Sequence, residues 1–420
     1  MRRRVAILLE SSLEVSRRIL NGIVGYMERH EPWTIDFIPG ALCEQRLPER
    51  WQGDGIIARI PSPAEALRLA AHPAPKVIFD PLDDYRAPTH PLSRWPRVDC
   101  DNLACGRSAA EYFIGRGFRS FSFIDTTPAS TPALLTDRSW PKTANWRSLR
   151  LQGFRDTLAR RGFDCAVYAL PTKRLEVGNA NIEQPRLIRF LRELPKPLAV
   201  FCPNDARGRQ VTDACLAAGI HVPYQVAVLG VNDDSTICGF SQPPLSSIPL
   251  DAETAGRKAA IALAALMEGR TRINNYTYQP LPVVTRASTL SLQTDDELVI
   301  AMLEEIRATQ GFRLRASDFA ERHALSLRQL EKRFSAAIGR SLGSVIRETC
   351  FTAAMDLVKN TDTPFKEIAA KAGHQSVSHF ADAFKARFGI TMSAARHGQT
   401  DQYSTSKSTE PPCGRTATST

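Results

Sequence analysis

A chain of 420 residues is too long for one ordinary domain, and its 43% hydrophobic and 23% charged content is that of a folded protein, not a disordered one. A net charge of +10 favours an anionic partner such as nucleic acid, although residues 297–396 hold only fifteen Lys and Arg against eleven Asp and Glu. No apolar run approaches the roughly 18 residues of a membrane span, and Glu10 cuts short the run after Arg2-Arg3-Arg4, so neither a span nor a secretory leader is expected.

Short apolar runs are expected as strands at Val5–Leu9, Ile35–Ile38, Gly55–Ala58, Val77–Phe79, Phe121–Ile124, Ala166–Leu170, Leu198–Cys202 and Val226–Val231. Amphipathic stretches between them predict helices at Ser16–Arg29, Leu103–Gly115, Leu149–Arg161, Asp205–Ala218 and Ala252–Glu268. This alternation predicts parallel sheets covered by helices on both faces. There are too many alternations for one compact sheet, so two lobes are expected. The first runs to about Cys100 and the second to about Gly230, with later segments returning to the first. In such folds ligands bind outside the carboxyl ends of the strands, here in the cleft between lobes. Gly269 to Asp296 contains Pro280, Pro282 and Val283-Val284 and reads as a connector with one last strand.

The final quarter repeats itself. Asp318-Phe319-Ala320, Ser326, Leu330, Phe334 and Gly339 are echoed by Glu367-Ile368-Ala369, Ser376, Phe380, Phe384 and Gly389, at an offset of 49 residues before the turn and 50 after it. Each unit reads as a short helix, a tight turn and a longer helix that a Ser can N-cap. Two such helix-turn-helix units predict two helices able to enter successive segments of the DNA major groove. The expected division is an α/β two-lobed domain over residues 1–285, a linker over 286–296, an all-helical domain over 297–397 and a polar, disordered tail over 398–420.

The nine cysteines include no Cys-x-x-Cys pair, which suits a reducing cytoplasm and argues against a metal site. The eight histidines are isolated. With no His-Glu-x-x-His, Gly-x-Ser-x-Gly or phosphate-loop pattern, neither an enzyme nor a cofactor is expected.

The C-terminal module resembles the AraC family of transcription regulators. Leu330-Glu331-Lys332-Arg333-Phe334, Gly339-Arg340-Ser341, Ile368-Ala369, Gly373, Ser376-Val377-Ser378-His379-Phe380, Phe384-Lys385 and Gly389-Ile390-Thr391 carry the likeness. The chain departs from that family at four places: His374 replaces an aromatic, Met392 a proline, and Asp382 and Cys350 each an arginine. The larger part resembles the sugar-binding core of LacI-type regulators, itself similar to periplasmic sugar-binding proteins. Arg150-Leu151-Gln152-Gly153-Phe154, Pro203-Asn204-Asp205 with Arg207, and Val228-Leu229-Gly230-Val231-Asn232-Asp233 carry that likeness. With the first strand expected from Val5, no N-terminal DNA-binding headpiece is expected before it. A LacI-like core followed by an AraC-like module is the arrangement of the xylose operon regulators, which Glu10-Ser11-Ser12-Leu13, Arg17-Arg18 and Gly22-Ile23 also resemble.

The resemblance implies a cytoplasmic, ligand-responsive transcription regulator, with activation favoured over repression. Its implied partners are double-stranded operator DNA, RNA polymerase, a second copy in a homodimer and a small monosaccharide, D-xylose foremost. It implies that Arg17 from the first lobe, and Arg150, Asn204 and Asn232 or Asp233 from the second, reach the sugar. Such groups match the paired hydroxyls of a sugar. Asp205 either joins them or caps the following helix, and Arg17 with Arg18 either reaches inward or forms a solvated face. Trp146, one turn before Arg150, is a core or hinge residue or else a stacking platform. If Leu330 and Phe334 face inward, Ser326, Arg328, Gln329 and Lys332 face outward; by the same argument so do Gln375, Ser376, Ser378, His379 and Lys385. Arg, Gln and Ser can read base edges, whereas Lys more often holds phosphate. A sugar-transport component would explain only the first part of the chain, and a sugar-modifying enzyme would leave the repeat unexplained.

Overall fold

In a computed structural model, which describes residues 2–125, 145–168, 180–290, 294 and 296–397, the chain divides into two compact units between Asp295 and Asp296. The first unit opens with β1 (Arg4–Leu8), α1 (Glu14–Met27), β2 (Thr34–Phe37), β3 (Gly55–Arg59), α2 (Pro63–Ala71), β4 (Lys76–Phe79), α3 (Asp83–Arg86) and β5 (Arg97–Cys100). Next come α4 (Asn102–Gly115), β6 (Ser120–Ile124), α5 (Asn145–Ala159), β7 (Ala166–Tyr168) and α6 (Ala180–Glu193). They are followed by β8 (Leu198–Phe201), α7 (Asp205–Ala217), β9 (Val226–Val231), α8 (Ser235–Phe240) and β10 (Ser246–Ile248). The chain then returns through α9 (Ala252–Met267) and β11 (Tyr276–Tyr278).

Two parallel sheets result, in strand orders β11-β5-β4-β3-β1-β2 and β10-β9-β8-β6-β7. The central strands are buried on both faces, as their unbroken apolar runs require: β8 is Leu-Ala-Val-Phe and β9 Val-Ala-Val-Leu-Gly-Val, without an exposed residue. Glycines let the covering helices touch. A Cβ on Gly22 of α1 would lie 1.9 Å from the Glu253 carbonyl of α9, and one on Gly153 of α5 would lie 2.1 Å from the Leu103 carbonyl of α4.

The chain passes between lobes at three places that bond to one another. The Asp101 amide donates to Tyr278 O (2.9 Å), that of Asp251 to Gln279 O (3.0 Å) and that of Leu281 to Pro249 O (2.8 Å). The expected two-lobed parallel architecture is present, with differences in detail. Strands β5 and β10 were not anticipated because they are three or four residues long and carry Asp99 and Ser246-Ser247. The strand in the connector is β11; Val284 makes only an isolated bridge with Ser247. Arg286 to Thr289, expected as linker, pack on the second lobe: the Ser288 hydroxyl donates to Val228 O (2.6 Å) and accepts from the Ser246 amide (2.8 Å). Ala169-Leu170, the end of one expected strand, and the tail from 398 lie outside the described residues.

The second unit is all-helical: α10 (Glu297–Ala308), α11 (Ala316–Arg322), α12 (Leu327–Ile338), α13 (Leu342–Asn360), α14 (Phe365–Lys371), α15 (Val377–Phe388) and α16 (Met392–Arg396). The repeat's apolar positions form its cores, with Phe319, Leu330, Phe334, Ile368, Phe380 and Phe384 fully buried. Ser326 and Ser376 cap α12 and α15, and both helices end at glycines with left-handed φ, 72° at Gly339 and 73° at Gly389.

Candidate ligand cleft and nucleic-acid interface

At the carboxyl ends of the first-lobe strands lies a buried charged network that sequence reasoning missed. Arg59, the last residue of β3, donates to Glu10 Oε1 (2.6 Å) and Asp80 Oδ2 (2.7 Å). Asp80 also accepts from the Tyr278 hydroxyl (2.9 Å) and the Cys100 amide (2.8 Å). Burial works against the Arg59 charge, but the Glu10 and Asp80 carboxylates outweigh it and raise the pKa of the guanidinium. Burial, then the Asp80 charge, push the Tyr278 phenol well above its ordinary value, so it stays a donor. Glu10 Oε2 and Arg59 Nε are buried without a partner, leaving one acceptor and one donor position unused. The available signal was a charged residue ending or following each apolar strand.

On the second lobe Arg150 is 4% exposed; its Nε donates to Asn102 Oδ1 (2.9 Å), its Nη1 donates to Pro203 O, and its guanidinium lies 5.0 Å from the Trp146 ring centre. Trp146 is therefore a neighbour of Arg150. Asn204 is the N-cap of α7, its Oδ1 accepting from the Arg207 amide at 2.8 Å. Asp205 does not cap α7, a role that Asn204 takes. It is 1% exposed and ties down the following loop, accepting from the Asp234 amide (2.8 Å) and the Ser247 hydroxyl (2.5 Å). Burial pushes its pKa up to about 7, against the opposing pull of the Ser247 and Asp234 hydrogen bonds.

Asn232 and Asp233 both adopt left-handed φ, 106° and 54°, which turns their side chains out of the strand direction directly after β9. Asn232 is half-buried. The Asp233 carboxylate meets Arg286 at 2.8 Å and Arg18 at 3.5 Å. Arg17 remains on its own lobe, bonded to Ser11 O and Glu14 (2.8 Å each), so Arg18 and not Arg17 is the arginine that bridges to the second lobe. The structure thus brings Arg150, Asn204, Asn232 and Asp233 to the carboxyl end of the second sheet, keeps Arg17 bonded within the first lobe, and engages Asp205 with the Asp234 amide and the Ser247 hydroxyl. Among the described residues no group of three or more His, Cys, Asp or Glu could hold a metal ion, and no helix is long and apolar enough to cross a membrane.

In the helical unit Ser326, Arg328, Gln329 and Lys332 are all exposed, as are Gln375, Ser378, His379 and Lys385; Ser376 is half-buried. Arg328 and Lys332 lie one turn apart with no ion pair among the described residues, as a phosphate- or base-seeking pair requires. Ser326 and Gln329 are engaged with each other: the serine hydroxyl donates to Gln329 Oε1 (2.8 Å) and accepts from the Gln329 amide (3.2 Å). Asp382 is exposed on α15, four residues after Ser378 and three after His379. The other departures have structural roles. The His374 ring packs 5.1 Å from that of Phe380, Thr391 caps α16 while Met392 is buried, and Cys350 is buried beside Gly311.

Residues 110–289 match the periplasmic binding protein-like domain family, and residues 319–398 match a helix-turn-helix domain family. The xylose operon regulatory protein of Haemophilus influenzae is 24% identical over 92% of this chain and 96% of its own length. That of Escherichia coli K12 is 24% identical over 93% and 96%. A solved structure described as the xylose-binding transcription activator xylR shares the fold, with a TM-score of 0.74 at 24% identity over 96% of this chain and 99% of that one. Together with the cleft and the paired helix-turn-helix units, these likenesses identify the chain as a transcription regulator built from a periplasmic binding protein-like domain and an AraC-type DNA-binding domain.

Proposed function

We propose that the chain activates transcription of a sugar-utilisation operon when a monosaccharide, D-xylose foremost, occupies the interlobe cleft. The observation that carries this reading is the pair of hydrogen-bonding sets at the strand ends of the two lobes, which Arg18 ties together at Asp233: Glu10, Arg59 and Asp80 on one lobe, and Arg150, Asn204, Asn232 and Asp233 on the other. Fixed guanidinium, carboxylate and amide groups suit paired sugar hydroxyls, which both donate and accept. The relatives' association with xylose supports the choice of pentose.

A sugar that prefers the closed form shifts the lobes toward it, by no more than its differential affinity for the two forms. The DNA contacts are assigned to Arg328, Gln329 and Lys332 of the first helix-turn-helix unit and to Gln375, Ser378, His379 and Lys385 of the second, with Ser326 and Ser376 capping the reading helices. Operator DNA, RNA polymerase and a second copy of the chain are the partners in this reading. The test is calorimetry with pentoses, hexoses and deoxysugars, with and without saturating operator. Reciprocity requires operator to change sugar affinity by the same factor that sugar changes DNA affinity. Equal sugar affinities in the two titrations would refute the coupling; no heat with any sugar would refute the effector.

A further inference from the structure

The first-lobe sheet has a second chemically distinctive end, opposite the cleft. Where β4, β5 and β11 begin, two adjoining concavities of about 740 and 280 Å³ open beside the C-terminus of α9. Among the described residues five cations line them, Arg94, Arg97, Lys258, Arg270 and Arg272, and no carboxylate does. Arg97 is shared with Asp99 (3.4 Å) and Arg270 with Glu268 (3.5 Å), whereas Arg94, Lys258 and Arg272 have no ion pair among the described residues. The Trp95 ring forms part of the wall. The Arg94 guanidinium is 5.0 Å from its centre and the buried Lys76 ammonium 4.7 Å, so positive charge is concentrated around one aromatic. Burial, then the Arg94 charge, lower the Lys76 pKa to about 8.

We propose that this basic concavity is a second ligand site, separate from the sugar cleft, for a small phosphorylated metabolite: a phosphomonoester on a short hydroxylated carbon skeleton. Guanidinium forks match phosphate oxygens, and the dianion relieves the mutual repulsion of the cations. Trp95 and Ile273 supply an apolar wall, and Asn274 can bond to skeleton hydroxyls. Strand β11 connects the two sites: Tyr276 lines the basic concavity, and two residues later Tyr278 bonds Asp80 in the cleft network. Occupancy at one end thereby acts on the sugar-binding wall at the other.

The test is calorimetry on the full chain at matched ionic strength with ribose 5-phosphate, inorganic phosphate, ribose and sulfate. Ribose 5-phosphate is expected to bind saturably, about tenfold or more tighter than phosphate or sulfate, and to lose about tenfold or more in the Arg94→Gln/Arg272→Gln double variant. Both side chains are exposed, so the variant should melt as the parent does. Three results would each overturn the proposal: no saturable binding of the ester, equal affinity for sulfate or inorganic phosphate, or unchanged ester binding by the double variant. The last would place the phosphate elsewhere, on the DNA-binding unit for example.

Discussion

Arg18 of the first lobe lies 3.0 Å from the main-chain oxygen of Asp233 in the second and 3.5 Å from its carboxylate, a direct tie across the cleft. Asp233 keeps a second cation, Arg286 at 2.8 Å, so removing Arg18 does not strand a buried charge. Arg18→Ala is therefore expected to fold normally while weakening the closed form by about 1 kcal/mol, the scale of one charge-assisted bond at a half-exposed site. Calorimetry should show a sugar dissociation constant raised by about fivefold. Arg17→Ala, which breaks only contacts to Ser11 and Glu14 on the same lobe, should do less. If Arg17→Ala is the more damaging of the two, the tie across the lobes is not what holds the cleft closed.

The buried Asp205 carboxyl gives the binding domain a defined pH response. Its pKa is about 7 in the folded chain against an ordinary 3.8, so between those values the folded state holds a proton that the unfolded state has lost. Stability contributed by this group is full below about pH 4 and falls as pH rises toward 7, with a slope of at most about 1.4 kcal/mol per pH unit. Denaturant titrations at pH 4.5, 5.5 and 6.5 should follow that fall against the rise expected from other carboxylates. In Asp205→Asn the downward component should vanish. A variant with the same pH profile as the parent would show that Asp205 titrates normally.

Packing of α4 on α5 depends on Gly153. A methyl group there would sit 2.1 Å from the Leu103 carbonyl, and backbone cannot yield as a flexible side chain does. Gly153→Ala should cost about 1–3 kcal/mol, seen as a lower urea midpoint at unchanged slope. Gly115, at the end of α4 with nothing within 4 Å of its virtual Cβ, is the matched control. Gly115→Ala should be neutral or slightly stabilising, because the helix loses less backbone entropy on folding. Equal stability of the two variants would mean that the helices shift apart freely.

The legible parts of this molecule are those whose physics is local. Helix-turn-helix spacing and the Ser caps at 326 and 376 could be read directly, because each is fixed within a few residues. Long buried strands such as β8 and β9 announced themselves by unbroken apolar runs. Strand β10 did not, since three residues with two serines carry no period, and β11 could be placed only as one strand within the connector, because its pairing depends on neighbours far away in sequence. The site divides in the same way. Arg150 and Asn204 sit in recognisable local motifs, whereas the Glu10–Arg59–Asp80–Tyr278 network joins four strand ends spread over nearly the whole domain. Arg17 and Arg18 are adjacent and chemically identical, and only the helix rotation that buries Val15, Ile19 and Ile23 decides which one reaches across.

Asp382 marks the weak point of the second reading helix. It is exposed on α15 beside Ser378 and His379 and has no cation partner among the described residues, so near DNA it would face phosphate charge. Asp382→Arg replaces repulsion with a phosphate contact at no cost to the core, since Phe380 and Phe384 point the other way and are fully buried. Operator affinity should rise, and the slope of log affinity against log salt should steepen by about one unit for the added contact. Because the contact is to backbone, the gain should be similar for operator and for unrelated DNA. Arg328→Ala should behave differently: it removes a candidate base-edge contact, lowering discrimination by about 1–3 kcal/mol at its own base positions. Measuring both variants over a salt series, on operator and on scrambled sequence, separates the two roles. An Asp382→Arg protein with unchanged affinity and salt slope would show that this face of α15 does not approach the phosphates, and the assignment of His379 and Lys385 to the DNA interface would fall with it.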